Sequence, residues 1–125
     1  MRRVVFHAEL REEIEQSLVE TYAAPSISSG TLTVDLSTAT VFNVSLNANV
    51  TTFTISNAAA SRAQAFTIFF TADGTQRTIT WGSSVKWPGG TAPTMTATSA
   101  KKDVLTFVTN DGGSNWYGFV GGQNF

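Results

Sequence analysis

The chain has 125 residues, a formal net charge of −1 and no cysteine, and its length predicts one domain with at most a short appendage. Without cysteine it forms no disulfide, holds no thiolate-bound metal and has no thiol nucleophile. Its eight cations are scattered rather than clustered, which argues against nucleic-acid binding, and no apolar run approaches the ~20 residues of a membrane-spanning helix.

The composition of the chain changes near residue 25. All five Glu residues lie between Glu9 and Glu20, and all four Asp residues follow position 34. From Ser26 onward the chain has 18 Thr, nine charged side chains, no Glu and no His. The contrast predicts an arm over residues 1–25 and a β domain over residues 26–125. So small a set of ionisable groups predicts a protein without catalytic activity, cofactor or metal.

The predicted arm has two parts. Residues Ala8 to Ala24 lack Gly and Pro and carry apolar side chains at every fourth position, which predicts an amphipathic helix that ends before Pro25. The β-branched and aromatic stretch before it can add as a strand to a neighbouring sheet edge. One helix of this length is marginal in water, so we expect it to contact its own β domain, sister subunits or another protein. The residues assigned to partner binding are Val4, Val5, Phe6, Leu10, Ile14, Leu18 and Tyr22.

Alternation of apolar and polar residues begins after the Ser/Gly-rich joint at residues 26–30 and predicts about eight strands. Asp73-Gly74 and the residues 110–113 are typical hairpin turns. The expected fold is all-β, an antiparallel, jelly-roll-like β-sandwich with an N-terminal arm and helix. The apolar positions of the predicted strands are Leu32, Val34 and Leu36; Phe42, Val44 and Leu46; Phe53 and Ile55; Phe66, Ile68 and Phe70; Ile79 and Trp81; Val85 and Trp87; Val104 to Val108; and Trp116 to Val120.

Several late strands are apolar on both faces. Phe69, for example, points away from its neighbours Ile68 and Phe70. An antiparallel sheet with one face in water alternates cleanly, so a second surface is expected to be buried. A self-interface around a symmetry axis is the simplest explanation, and a cover formed by the N-terminal helix is the alternative. The residues assigned to the self-interface are Phe69, Val104, Val108 and Trp116.

Few residues could take part in catalysis or in ligand binding. His7, the only histidine, lacks the partners that a catalytic triad or a metal site needs. Asp73 and Asp111 precede glycine, as turn residues do, and residues 110–115 lack the spaced carboxylates of a calcium loop. Trp87, beside a Pro-Gly-Gly corner, can stack on a sugar, although packing inside the domain is the commoner role of such a side chain.

Several strings of the sequence resemble a module of tailed-bacteriophage virion proteins. They are GTLTVDLS at 30–37, VFNVSL at 41–46, NVTTFTISN at 49–57, VKWPGGTAPT at 85–94, DVLTFV at 103–108 and DGGSNWYGF at 111–119. The module occurs at the C-termini of tail-fibre-like proteins and as short stand-alone structural proteins. The resemblance covers about residues 29–125 and implies a non-enzymatic, trimeric virion component.

Two functions agree with that resemblance. The first is a capsid decoration (cement) protein, a homotrimer on the head surface whose arm binds the major capsid protein, other virion proteins or neighbouring trimers. The second is a tail-fibre tip that binds a host surface glycan through Trp87. The short chain favours the first function, and the C-terminal place of the module in long fibres favours the second. Neither function involves nucleic acid or a membrane.

Overall fold

A computed structural model of the chain describes residues 19–125, which form eight strands in two sheets. A 3-10 turn at Pro88–Gly90 is the one helical element among these residues, so the all-β prediction is confirmed. The strands are β1 (Tyr22–Ala23), β2 (Thr31–Asp35), β3 (Val41–Leu46), β4 (Thr52–Ser56), β5 (Gln64–Ala72), β6 (Val85–Lys86), β7 (Lys102–Thr109) and β8 (Trp116–Gly122).

The first five strands alternate between the two sheets. β1, β3 and β5 pair in parallel within a six-stranded sheet of order β1-β3-β5-β7-β8-β6, and β2 pairs in parallel with β4. β5, β7 and β8 pair in antiparallel fashion, and β6 runs parallel to β8. The predicted antiparallel pairing is therefore wrong for β1 to β5, and a jelly-roll arrangement is not confirmed. Side chains alternate with the same period in both kinds of pairing, so periodicity did not reveal the strand direction.

The core lies between the two sheets and takes alternate residues from each of the longer strands. Phe66 and Phe107 stack with ring centroids 4.9 Å apart, and Trp116 packs edge-on against Phe66 at 5.0 Å. Burial of one such side chain stabilises the fold by about 1.5–3 kcal/mol. The hydrophobic side chains that are at most 2% exposed are Leu32, Val34, Phe42, Val44, Leu46, Val50, Phe66, Ile68, Phe70, Leu105, Phe107 and Trp116.

The described part of the predicted helix is extended instead. Tyr22 and Ala23 form β1 along the edge of β3, and residues 19–21 are not helical. Thr40 holds this segment, because its backbone N–H donates to the Thr21 carbonyl and its hydroxyl donates to Glu20 Oε2 at 2.9 Å. Pairing with a sheet edge outweighs the weak helix preference of these residues. β1, which lies within the predicted arm, is therefore paired with the six-stranded sheet. The division of the chain at residue 25 stays a prediction.

Predictions for the turns had mixed outcomes. The turn at residues 110–113 joins antiparallel β7 and β8, so the predicted hairpin is confirmed. The turn at Asp73-Gly74 ends β5, but the residues after it do not return along β5. The strand predicted around Ile79 reduces to a single bridge to Val50. Trp81, predicted on the same strand, is nonetheless buried in the core.

Gly112 shows why the β7–β8 turn needs glycine. Its φ is +73°, and a Cβ there would lie 2.6 Å from the Ser61 backbone nitrogen. We expect Gly112→Ala to lower the free energy of unfolding by about 3 kcal/mol, since a left-handed backbone and a steric clash add together. Gly82→Ala is the control, because Gly82 has a φ of +85° but nothing within 4 Å of a Cβ, and should cost about 1 kcal/mol. Equal losses in denaturant titrations would show that the contact with Ser61 has no effect.

Candidate functional site

The six-stranded sheet has one face on the core and an opposite face, called the outer face below. Alternate residues of β1, β3, β5, β7 and β8 point to it. The strand register places Tyr22, Val41, Thr67, Thr106 and Phe119 in one row across these five strands. Two flanking rows add the pair Phe69 and Val104 on one side, and Ala65, Val108 and Tyr117 on the other.

All the exposed aromatic side chains among residues 19–125 belong to the outer face. Tyr22, Tyr117 and Phe119 are 67%, 47% and 45% exposed, and the C-terminal Phe125 is 65% exposed. The Phe125 ring lies where a side chain on Gly122 would project, beside Val104. Four large aromatic side chains are thus exposed to solvent on the same side of the sheet.

The centre of the outer face carries no formal charge. The hydroxyl groups of Thr67 and Thr106 hydrogen-bond to each other there at 3.2 Å, so they need no further partner. Charged side chains lie at the borders. Lys86 is next to Tyr117 on β6, Lys102 is the first residue of β7, and Glu20 lies beside β1. The exposed aromatic side chains lie toward the two sides of this face, on β1 and β8, and flank an uncharged centre. A surface that exposes several large apolar side chains on one side of a domain is a candidate protein–protein contact surface.

Three of the four residues assigned to the self-interface lie on the outer face. Phe69, Val104 and Val108 are half-buried there. The assignment of Trp116 is wrong, because it points to the core and is 1% exposed. The sequence shows that the side chains of β8 alternate between two sides. It does not show which side faces the core, because aromatic residues occupy both sides. Tyr117 and Phe119, on the other side of that alternation, are the residues that sequence reasoning missed.

The predicted arm residues Val4, Val5, Phe6, Leu10, Ile14 and Leu18 precede Val19 and lie outside the described residues, as does His7. Their assignment stays a prediction. Tyr22 is described, and it lies on the outer face at the β1 edge of its own sheet.

Trp87 packs into the domain rather than presenting a free ring. Its ring centroid is 5.1 Å from that of Trp81 and 5.7 Å from that of Phe107. The ring also covers Gly118, where a Cβ would lie 2.8 Å from two of its carbons. Its Nε1–H is buried and meets no acceptor among residues 19–125. A sugar-stacking site needs an open ring face, so this geometry favours the packing role.

Asp111 is part of the β7–β8 turn. Its carboxylate accepts hydrogen bonds from the backbone N–H and the side-chain amide of Asn115, both at 3.0 Å, and from the Thr109 hydroxyl at 2.8 Å. These bonds lower the pKa of Asp111 to about 2. Within residues 19–125 no group of three or more His, Asp or Glu side chains could hold a metal ion. The carboxylate is therefore occupied in shaping the turn.

Asp103 is a buried carboxylate that joins three segments. It accepts four hydrogen bonds, from the backbone N–H and hydroxyl of Thr96 at 2.7 and 2.6 Å and from Asn124 and Gln123 at 3.1 Å each. Burial acts to raise the pKa of this carboxyl, but the hydrogen bonds, those from Thr96 above all, bring it below its ordinary value of 3.8. Asp103 thereby ties the C-terminal tail to β7 and positions Phe125 on the outer face.

Comparison with protein-family models, with curated proteins and with solved structures finds no match to this chain. The resemblance to phage virion proteins therefore rests on the sequence strings alone and stays a prediction. In the described part of the chain, no helix is both long enough and apolar enough to cross a membrane. The candidate contact surface in that part of the chain is the outer face.

Proposed function

We propose that this protein is a non-enzymatic structural component of a tailed-phage virion, a homotrimeric capsid decoration protein that stabilises the head shell. The observation that carries the proposal is the outer face, which holds every exposed aromatic side chain of the described chain and has no charged side chain at its centre. An exposed apolar surface of this kind favours protein association, and a partner that covers it removes it from water. In the trimer that the sequence resemblance implies, copies of the chain provide the cover.

The arm supplies the contact with the shell in this proposal. The described chain begins beside β1, at one rim of the outer face, so the preceding residues of each copy leave from that rim. Val4, Val5 and Phe6 form a β-branched and aromatic stretch that can pair with a sheet edge of a capsid protein. Three arms on one trimer act together, so weak single contacts add up to firm binding through effective concentration.

A tail-fibre tip that binds a host glycan is the alternative. It uses the same trimer and places the ligand on Trp87. The ring of Trp87 rests on Trp81, Phe107 and Gly118, which leaves little of it for a sugar. The packing of Trp87 therefore supports the decoration protein over the fibre tip.

Immunogold labelling of intact virions with an antibody to this chain tests the proposal. We expect label spread over the head. Label confined to the tail would support the fibre tip instead, and virions without any label would contradict both functions.

Substitution of the arm tip tests the capsid contact. We expect the full chain with Val4, Val5 and Phe6 all replaced by Asp to bind undecorated capsids at least about tenfold more weakly, a loss of about 1.4 kcal/mol. The reason is that three charges replace the apolar side chains of the proposed contact. Co-sedimentation with capsids measures binding, and thermal unfolding should not change. Thr33→Asp, at an exposed position of β2, is the control and should bind normally. Undiminished binding by the triple variant would place the capsid contact elsewhere.

A further inference from the structure

We propose that Asp73 is a site of slow spontaneous modification, in which the Asp73-Gly74 linkage rearranges to isoaspartate, and that Arg77 restrains this reaction. Water is the only co-reactant. The inference goes beyond the proposed function and does not depend on it.

The reaction needs an aspartate whose carboxyl group the backbone nitrogen of the next residue can reach. The Gly74 nitrogen attacks Cγ of Asp73, so that an N–Cγ bond forms while the bond from Cγ to the carboxyl hydroxyl breaks. The proton on nitrogen and that hydroxyl group leave as one water molecule, and a five-membered succinimide ring remains. Water then opens the ring at either carbonyl, which restores Asp73 or routes the backbone through Cγ as isoaspartate. No atom is oxidised or reduced, and a following glycine hinders the attack least because it has no side chain.

The chain has two Asp-Gly pairs, at 73–74 and at 111–112, and the structure holds the second one closed. The Gly112 N–H donates to the Arg62 carbonyl at 3.1 Å, and a Cβ on Gly112 would lie 2.6 Å from the Ser61 backbone nitrogen. The Asp111 carboxylate is bound by both the backbone and the side-chain amide of Asn115. The nitrogen and the carboxyl group can therefore meet only if this packed turn opens.

The turn at Gly74 is open by the same measures. The Gly74 N–H makes no hydrogen bond with any residue from 19 to 125, and a Cβ there would make only an ordinary contact, 3.6 Å from Cβ of Ser99. Thr75 donates its backbone N–H to Oδ1 of Asp73 at 3.1 Å, which directs the carboxyl group back toward the Gly74 peptide unit. The pair follows Ala72, the last residue of β5, so strand pairing does not oppose the rotation that the attack requires.

Arg77 opposes the reaction from the other side of the carboxyl group. Its Nη2 lies 2.6 Å from Oδ2 of Asp73 and its Nε 3.3 Å from Oδ1, and these bonds hold the pKa of Asp73 below its ordinary value of 3.8. The attack expels hydroxyl from a protonated carboxyl group far more readily than it expels oxide from a carboxylate, so a partner that favours the ionised form slows the step. The two side chains are 24% and 28% exposed, and solvent weakens the pair. Arg77 therefore slows the rearrangement without preventing it.

Incubation of the full-length chain in water enriched in heavy oxygen tests the inference, because each opening of the succinimide inserts one oxygen atom from water. After incubation near neutral pH the chain is digested, and fragmentation of the peptides locates the heavy oxygen. In the folded chain we expect label at Asp73 to exceed label at Asp111 at least about tenfold, because Asp111 reacts only when its turn opens. In chain unfolded by urea the two sites should be labelled at similar rates, which makes Asp111 the matched control within the same molecule.

Substitution of Arg77 tests the restraint. Arg77→Gln should speed the labelling of Asp73 about two- to fivefold, the range that an exposed ion pair allows, and should leave Asp111 unchanged. Arg77→Lys keeps the positive charge and should speed it less.

Three results would contradict the inference. Similar labelling of Asp73 and Asp111 in the folded chain would show that the two turns do not differ in reactivity. A folded chain without label at Asp73, over a period that labels the urea-unfolded chain, would show that the fold protects both sites. Equal rates in wild type and Arg77→Gln would remove the role of Arg77. Immunogold labelling of virions bears on the proposed function alone, so the two can fail separately.

Discussion

Replacing Asp103 with Asn should lower the free energy of unfolding by about 3 kcal/mol. The carboxylate accepts four hydrogen bonds in a site that is 2% exposed. An amide would turn an NH2 group toward the donors of Thr96 or Gln123 and would leave buried N–H or O–H groups without an acceptor. Urea titration followed by tryptophan fluorescence measures the loss.

Asp73→Asn is the matched control for this prediction. Asp73 forms an ion pair with Arg77 at 2.6 Å, but the side chains are 28% and 24% exposed, and solvent weakens such a pair. Its loss should be much smaller than that of Asp103→Asn. Equal losses in the two variants would show that the buried network around Asp103 contributes nothing special to stability.

Asp103→Asn should also weaken the dependence of the free energy of unfolding on pH below about pH 4. The pKa of Asp103 in the folded protein is below its unfolded value of 3.8. Its ionised form therefore contributes stability that is present above pH of about 4 and lost as the pH falls through the folded pKa. Asp111, with a pKa of about 2, is present in both wild type and Asp103→Asn, so its contribution cancels when the two are compared. Melting curves from pH 5 to pH 2 should converge for wild type and Asp103→Asn; a constant separation would contradict this origin.

Replacing Trp87 with Ala should lower the melting temperature by about 10 °C, which corresponds to about 3 kcal/mol. The indole fills the space between Trp81, Phe107 and Gly118, and its removal leaves a cavity next to the core. Differential scanning calorimetry measures the shift. An unchanged melting temperature together with lost binding to host cells would support the glycan site instead.

Gly118→Ala tests the same contact from the other side. A Cβ on Gly118 would lie 2.8 Å from two carbons of the Trp87 ring and 3.1 Å from Phe107, so the substitution should cost about 1–3 kcal/mol through overpacking. In the Trp87→Ala background the same substitution should cost much less, because the ring it strikes is gone. A double-mutant cycle measures this coupling, and strict additivity would show that the two residues do not meet in solution.

Much of the β domain was predictable because strand formation depends on neighbours along the chain. The alternation at Leu32 to Leu36 and at Phe42 to Leu46 predicted strands that the structure places at Thr31–Asp35 and Val41–Leu46. The strand β1 at Tyr22–Ala23 was not predictable. A helix and an edge strand are close in local free energy for these residues. The edge of β3 decides between them, and that edge exists only after the sheet has formed.

The outer face was predictable in part. Two-sided apolar strands indicated a second contact surface, and Phe69, Val104 and Val108 lie on it. The assignment of Trp116 to the outer face was wrong because Trp116 and Phe119 are both hydrophobic enough to be core residues, so hydrophobicity did not distinguish them. The structure resolves the choice because Trp116 lies beside Val85 of β6 and packs on Phe66.

The sequence by itself determined the all-β class, the positions of most strands, the β7–β8 turn and the scarcity of chemically active side chains. These are properties of composition and of short-range alternation, which the chain carries before it folds. Only the tertiary structure decided the parallel winding of β1 to β5, the core role of Trp87, the burial of Asp103 and the gathering of four exposed aromatic residues on one face. Each of these depends on which distant segments meet, and pairing over long separations is selected by the packing of the whole domain rather than by any local pattern.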